Sequence, residues 1–274
     1  TGATGGIGRA ICLRAIRAGR PLIPCGRDRE ALDELVVELT AARSDAGDGS
    51  APAIVPLAFD VTDEECMQSE LMRVHQELGA PIDIVLNAGV AISAPLTRKD
   101  GERDLFALHM DVNFHGPRRL VELLIPGMAD ACHGRVVAIA SSAGLRGYSY
   151  VAAYSASKHA LLGFIRSASL ELEAKGIGCS AICPHYVDSP MTDASVARVA
   201  RKTGQSLAAA RAYFAAENPG GQLVRPDEVA QATLEQLDAQ QTGEVLELLG
   251  GGRRIVDAPR ALSVVTPAQF ERRS

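Results

Sequence analysis

The chain has no apolar stretch near the ~18 residues a membrane-spanning helix needs, and it opens on glycine-rich residues where a charged segment and an apolar one would mark a leader. The expectation is a soluble, cytoplasmic protein with no membrane partner. No long run of one charge sign stands behind the formal net charge of −5, so the basic footprint of a nucleic-acid binder is missing. No CxxC pair occurs among Cys12, Cys25, Cys66, Cys132, Cys179 and Cys183; scattered through apolar segments, they read as reduced, buried thiols, neither a disulfide framework nor a metal site. Internal repeats are absent too.

What is present is enough for one substantial core: 274 residues, 47% of them hydrophobic. Helical and strand-like segments alternate from end to end. Helices are expected at about 7–18 and 29–42, the second with Leu32, Leu35, Val36 and Leu39 on one face. Short apolar runs at 21–25, 54–59, 82–86, 135–140, 178–183 and 244–249 lack polar alternation, as strands buried on both faces should. The pattern predicts an α/β fold with a doubly wound parallel sheet, a Rossmann fold, in a single domain over 1–252. Two stretches break the rhythm: a polar loop at 45–50 and an Ala- and Arg-rich insertion at 189–222, the natural substrate lid. A tail of unknown role, 253–274, follows. A parallel nucleotide-binding sheet needs a strand feeding its glycine-rich turn, and here the chain starts at that turn. The first strand is therefore expected to be missing through truncation, the alternative being that another segment, such as 262–266, fills its place.

The turn Thr1-Gly2-Ala3-Thr4-Gly5-Gly6-Ile7-Gly8 puts glycines where a backbone must bend sharply and approach a pyrophosphate, whose charge then sits over the amino end of the helix beginning near Ile7. Its spacing, Gly-x3-Gly-x-Gly, differs from the general G-x-G-x-x-G fingerprint. At the end of the second strand candidate, where an acid would take adenosine ribose hydroxyls, the chain reads Cys25-Gly26-Arg27-Asp28. Gly26 leaves room and Arg27 supplies a fork suited to a 2′-phosphate, which favours NADP(H). The competing reading leaves Arg27 solvated and Asp28 capping the next helix, or lets the acid reach the ribose in a shifted register and take NAD(H).

Tyr154 and Lys158 open a segment with helical periodicity and lie one turn apart on one face. A free tyrosine titrates near ~10. An ammonium about 4 Å away at an effective dielectric of ~20 contributes about 4 kcal/mol, roughly three pK units, so the phenol is expected to come close to working pH. Ser141 stands thirteen residues earlier, just past the apolar run 136–140; Ser142 in the same turn is an alternative. Carboxyl ends of parallel strands are where open α/β sheets bind ligands.

With these residues in place, the chain resembles the classical short-chain dehydrogenase/reductase family from residue 1 to about Gly252. The family's TGxxxGxG turn corresponds to Thr1, Gly2, Gly6 and Gly8, and its Asn–Ser–Tyr–Lys set to Asn113, Ser141, Tyr154 and Lys158. Its Asp-Val adenine contact corresponds to Asp60-Val61, its Asn-Ala-Gly motif to Asn87-Ala88-Gly89, and its segment beside the nicotinamide to Pro184 onward, with Val187 and Ser189. The resemblance implies hydride transfer between the nicotinamide and a carbonyl or alcohol carbon, with Asn113 holding Lys158 through a water. It also implies a homodimer or homotetramer packed through the Tyr154 helix and the last strand. His185 departs from the family's usual glycine, and Ser189 from its usual threonine.

Within the insertion, Arg198, Arg201 and Lys202 fall at helical spacing with Arg211 further along, a cationic face able to hold the phosphates of an acyl-CoA or an acyl-carrier arm. The residues around Tyr154 and the Asn218-Pro219-Gly220-Gly221 stretch resemble ketoacyl reductases of the fatty-acid, polyketide and hydroxyacyl-CoA type. Two other classes compete with the reductase: a related enzyme doing epimerisation or dehydration, and a non-catalytic nucleotide-binding or regulatory protein that kept the fold.

Overall fold

A computed structural model describes residues 1–43, 51–79, 83–97, 104–258 and 260–261. Its elements run α1 (Gly6–Arg17), β1 (Cys25–Gly26), α2 (Arg29–Ala42), β2 (Leu57–Ala58), α3 (Glu64–Leu78), β3 (Asp83–Leu86), α4 (Leu105–Met110), α5 (Gly116–Asp130), β4 (Gly134–Ile139), α6 (Ala152–Glu171), β5 (Ile177–Pro184), α7 (Pro190–Thr203), α8 (Leu207–Glu217), α9 (Pro226–Asp238), β6 (Gln241–Thr242), β7 (Val245–Leu248), β8 (Arg253–Asp257) and β9 (Arg260–Ala261). The expected loop at 45–50 and the run 262–266 lie outside the described residues.

One sheet runs in the order β3-β4-β5-β7-β8, parallel from β3 through β7 and antiparallel at β8. The parallel pair β1-β2 forms a second, smaller piece. Thr1 to Ala3 lies between the two: the Thr1 nitrogen donates to Val85 O at 2.8 Å, and Ala3 N donates to Cys25 O at 2.9 Å. The turn thus stands in the sheet's interior, at the point where strand order reverses, which is where doubly wound sheets bind nucleotides.

Alternate side chains of each inner strand feed opposite layers. Val136, Ala138, Cys179 and Ala181 pack with Leu161 and Leu162 of α6, Leu120 of α5 and Met67 of α3, while Val137, Ile139 and Ile182 pack with Ile11 of α1 and Val229 of α9. Every residue of β4 and β5 is buried, the reason their sequence shows no alternation. Short polar residues set the helix starts: Asp28, Asp63, Asp104 and Ser206 accept from first-turn N–H groups of α2, α3, α4 and α8.

The sheet continues past Gly252. Strand β8 pairs with β7, with a bulge between Val245 and Leu246, and covers the β7 edge on which partner packing was expected. Leu161 and Leu162 of α6 are buried within their own chain. Among the described residues no helix is long and apolar enough to cross a membrane.

Ile182 is fully buried in the middle of the sheet. Truncating it, Ile182→Ala, is expected to cost about 2–5 kcal/mol of unfolding free energy, read as a lowered urea midpoint at unchanged slope.

Candidate active site

A cleft of about 420 Å³ opens over the carboxyl ends of the strands, lined by the glycine turn, the ends of β1 and β3, the α6 face bearing Tyr154 and Lys158, and the start of α7. Its floor is tight where a dinucleotide backbone would need it. A Cβ on Gly2, which adopts φ +62°, would come within 2.9 Å of Ala88 Cα, and one on Gly8 would overlap the Gly2 carbonyl. No side chain caps the amino end of α1 and its first turn carries no acid, leaving that end open to an anion.

The Asn-Ala-Gly segment binds this turn to β3. Asn87 Nδ2 donates to Thr1 O at 3.1 Å and Gly2 O at 3.0 Å, while Thr1 Oγ1 accepts from Ala88 N at 3.0 Å. At the adenosine end, Asp60 accepts from Thr62 N and Oγ1 at 2.9 and 2.7 Å. Burial pulls its carboxyl upward, but the Thr62 bonds and the nearby Arg27 guanidinium hold it below the usual range. Arg27 lines the cleft, and Asp28 is engaged elsewhere: its carboxylate accepts from Ala31 N at 3.1 Å as the cap of α2.

Tyr154 and Lys158 lie one turn apart on α6, the ammonium 5.9 Å from the phenol ring centroid and donating to Ile139 O at 2.8 Å. Ser141 caps the short turn Ser142–Gly144 after β4, accepts from Ala143 N at 3.1 Å and stands near enough to Tyr154 to act on its hydroxyl. Ser142 instead accepts from Tyr148 at 2.9 Å, and of the two it is Ser141 that acts on Tyr154. The electrostatics depart from expectation. Burial pushes the Tyr154 phenol above its ordinary value, nearby Ser141 offsets this only in part, and Lys158 is not among the groups lowering it. Lys158 is itself brought down to about 8 by burial, because a phenol and an ammonium removed from water both favour their neutral forms.

Asn113 is fully buried in a π-helical turn, Asp111–His115, one layer behind the cleft. Its amide grips Val90, accepting from Val90 N at 2.8 Å and donating to Val90 O at 3.0 Å, and it donates to Ser157 Oγ at 2.9 Å. Ser189 is on the lining; Gly8, Ser141, Pro184 and Val187 stand behind it. Among the four cations expected above the site, Arg211 is held by Asp188 and Asp193 and Arg198 Nη1 donates to Ser93 O at 3.2 Å, which leaves Arg201 and Lys202 exposed. Asn218 serves the backbone, with its amide bonded to Tyr186 N, Tyr186 O and Gln222 O.

His109 was not visible in the sequence as a site residue. Fully buried one turn before Asn113, it accepts from Ile92 N at 3.0 Å, meets Leu105 O at 2.6 Å and sets its ring edge-on to Tyr154, centroids 6.2 Å apart. A polar ring in the apolar stretch before Asn113 was its only signal.

Residues 1–200 match the short chain dehydrogenase family, and the chain belongs to it. It is 31% identical to the 3beta-hydroxysteroid dehydrogenase of Mediterraneibacter gnavus, over 76% of this chain and 72% of that protein. It is 29% identical to the 3-oxoacyl-acyl-carrier-protein reductase FabG of Thermotoga maritima, over 92% and 95%. The structure superposes on an actinorhodin polyketide ketoreductase variant with NADPH at a TM-score of 0.83 and 29% identity, covering 91% and 94% of the two chains. The chain is accordingly an oxidoreductase of this family, with a nicotinamide dinucleotide site and the Rossmann fold.

The buried ammonium makes a signed prediction. Lys158 titrates near 10.5 when free and at about 8 when folded, so between those values the unfolded chain holds more protons and stability rises with pH. The rise is about 3 kcal/mol at 1.36 kcal/mol per pK unit; below pH 8 both states are protonated and the penalty is constant. Urea unfolding at pH 7.5 and 10 is expected to show this climb in wild type relative to Lys158→Met.

Proposed function

We propose that the chain is an NADP(H)-preferring carbonyl reductase in which Tyr154 is the proton donor and acceptor, Lys158 and Asn113 support it, and Ser141 holds the substrate oxygen. The observation that carries this reading is Tyr154 and Lys158 together on the wall of a cleft with a glycine cradle, the ammonium 5.9 Å from the phenol ring centroid and Ser141 close behind. When bound, the nicotinamide exchanges a hydride with the substrate carbon. Ser141 Oγ donates to the carbonyl oxygen and fixes it beside the phenol. Tyr154 Oη then gives its proton to that oxygen as negative charge develops there. A phenol whose pKa is pushed up by burial stays protonated near neutrality, which suits the reducing direction. Lys158 supplies positive charge across the ring face and, through its bond to Ile139 O, keeps α6 registered on β4.

Preference for the 2′-phosphate rests on Arg27 at the cleft and on Asp28 being bound to its helix cap. The residues proposed to hold the dinucleotide are Thr1, Gly2, Gly6, Ile7, Gly8, Arg27, Asp60, Val61, Asn87, Ala88, Gly89, Tyr154, Lys158, Pro184, Val187 and Ser189. For the substrate we favour a ketone extended by an acyl thioester, supported by the names of the reductases just compared and by exposed Arg201 and Lys202 on α7, the proposed lid. Six unpaired cysteines, three of them buried, fit a reducing cytoplasm. A homodimer or homotetramer is the assembly we expect, with exposed Phe106, Leu123 and Leu170 available for it.

Tyr154→Phe is expected to lower kcat for NADPH-dependent ketone reduction by roughly 10²- to 10⁴-fold while NADPH still binds, as followed by nicotinamide fluorescence. Retained turnover would reject the mechanism. Arg27→Leu is expected to raise the NADPH Kd by roughly 10- to 100-fold with little change for NADH. Reversing charge at Arg201 and Lys202 is expected to raise KM about tenfold for a 3-ketoacyl-CoA relative to a small ketone; equal effects on both would exclude the thioester.

A further inference from the structure

Tyr154 lies in the first turn of α6, and the start of that helix is uncapped: Val151, which precedes it, makes no side-chain bond to the turn. First-turn N–H groups have no partner inside a helix, so such a start frays unless something outside holds it. The proton-donating phenol therefore stands on the least secure turn of its own helix.

The loop after Gly89 supplies the hold. Val90, Ile92 and Ala94 are alternate residues of this loop, and each N–H is taken: Val90 N by Asn113 Oδ1 at 2.8 Å, Ile92 N by His109 Nε2 at 3.0 Å and Ala94 N by Tyr150 O at 2.8 Å. Tyr150, two residues before α6, adopts φ +66°, a left-handed conformation that residues with a side chain rarely take and that persists only where its surroundings fix it. Its side chain is exposed, so packing of the ring does not fix it; the bond from Ala94 does.

His109 is the middle clamp. Its Nδ1 lies 2.6 Å from Leu105 O, and a carbonyl oxygen only accepts, so Nδ1 carries the proton and Nε2 is the acceptor for Ile92 N. The ring is fully buried and is set edge-on to that of Tyr154, centroids 6.2 Å apart. It is not on the cleft lining, so it meets the chemistry only through Tyr154 and the loop.

We propose that His109 is a positioning residue for proton transfer: by accepting from Ile92 N it holds the loop through which Ala94 and Tyr150 fix the first turn of α6, and its ring backs the phenol carried on that turn. The inference rests on the proposed reductase reading.

The test separates the ring from the acceptor. His109→Phe keeps a ring against Tyr154 but leaves Ile92 N without an acceptor, and is expected to lower kcat for NADPH-dependent ketone reduction roughly 10- to 100-fold, the effect of a displaced reacting group, at unchanged NADPH Kd. His109→Gln returns an acceptor near the Nε2 position and is expected to recover most of the wild-type kcat. Ala94→Pro breaks the chain of contacts one link further along by removing the N–H that Tyr150 O accepts. It is expected to lower kcat as His109→Phe does, and stands in if the phenylalanine variant does not fold. Wild-type kcat in His109→Phe or Ala94→Pro, a glutamine variant as slow as whichever of those two folds, or an NADPH Kd that rises in step with the fall in kcat would overturn the inference. Failure of the reductase reading is separate, since it shows as no NADPH-dependent ketone reduction in wild type.

Discussion

The structure turns on one costly placement, an ammonium held out of water against a sheet. Lys158 is nearly fully buried and anchored to Ile139 O at the end of β4, and burial alone brings its pKa to about 8. A charge in such a place must have a polar partner and close packing. Gly144 supplies the packing: a side chain there would meet Lys158 O at 2.8 Å, so the turn carrying Ser141 lies directly on α6. With α6 seated by its lysine, Tyr154 one turn earlier meets Ser141. The site's geometry is thus a by-product of the way the helix is docked.

The same placement sets the proton chemistry. In water the ammonium would be expected to make the phenol more acidic; inside the protein both groups are desolvated and both move toward neutrality. The phenol stays a proton donor, and the lysine becomes a cation that is easily lost above pH 8. Asn113 and His109 complete the assembly from behind by gripping Val90 and Ile92, which holds the loop after Asn87-Ala88-Gly89 against the cleft. Both side chains use backbone groups that no strand satisfies, so polar residues persist in an otherwise apolar layer.

Much of this architecture is legible in the amino-acid sequence. Buried parallel strands show as unbroken apolar runs, and 135–140 and 178–183 fall within a residue or two of β4 and β5. The glycine turn and the Tyr154–Lys158 spacing are local, the first imposed by backbone approach and the second by helical period, so they read directly. Strand β8 leaves no such trace, because Arg253 to Val256 lie at an exposed edge where no burial pattern is imposed. Of the cationic face predicted on the insertion, only part remains: helical spacing could not reveal that Arg211 meets two aspartates, or that Arg198 reaches Ser93.

By itself the sequence determined the fold class, the order of most strands and helices, and the glycine turn and Tyr154–Lys158 pair that line the cleft, because each depends on contacts spanning a turn or a strand. Tertiary structure alone decided which serine stands nearer Tyr154, which way the phenol's pKa moves, what Asp28 binds and how His185, Glu247 and Arg254 join. Those outcomes depend on groups brought together from distant parts of the chain and on how much water is left around them, and neither is written in local spacing.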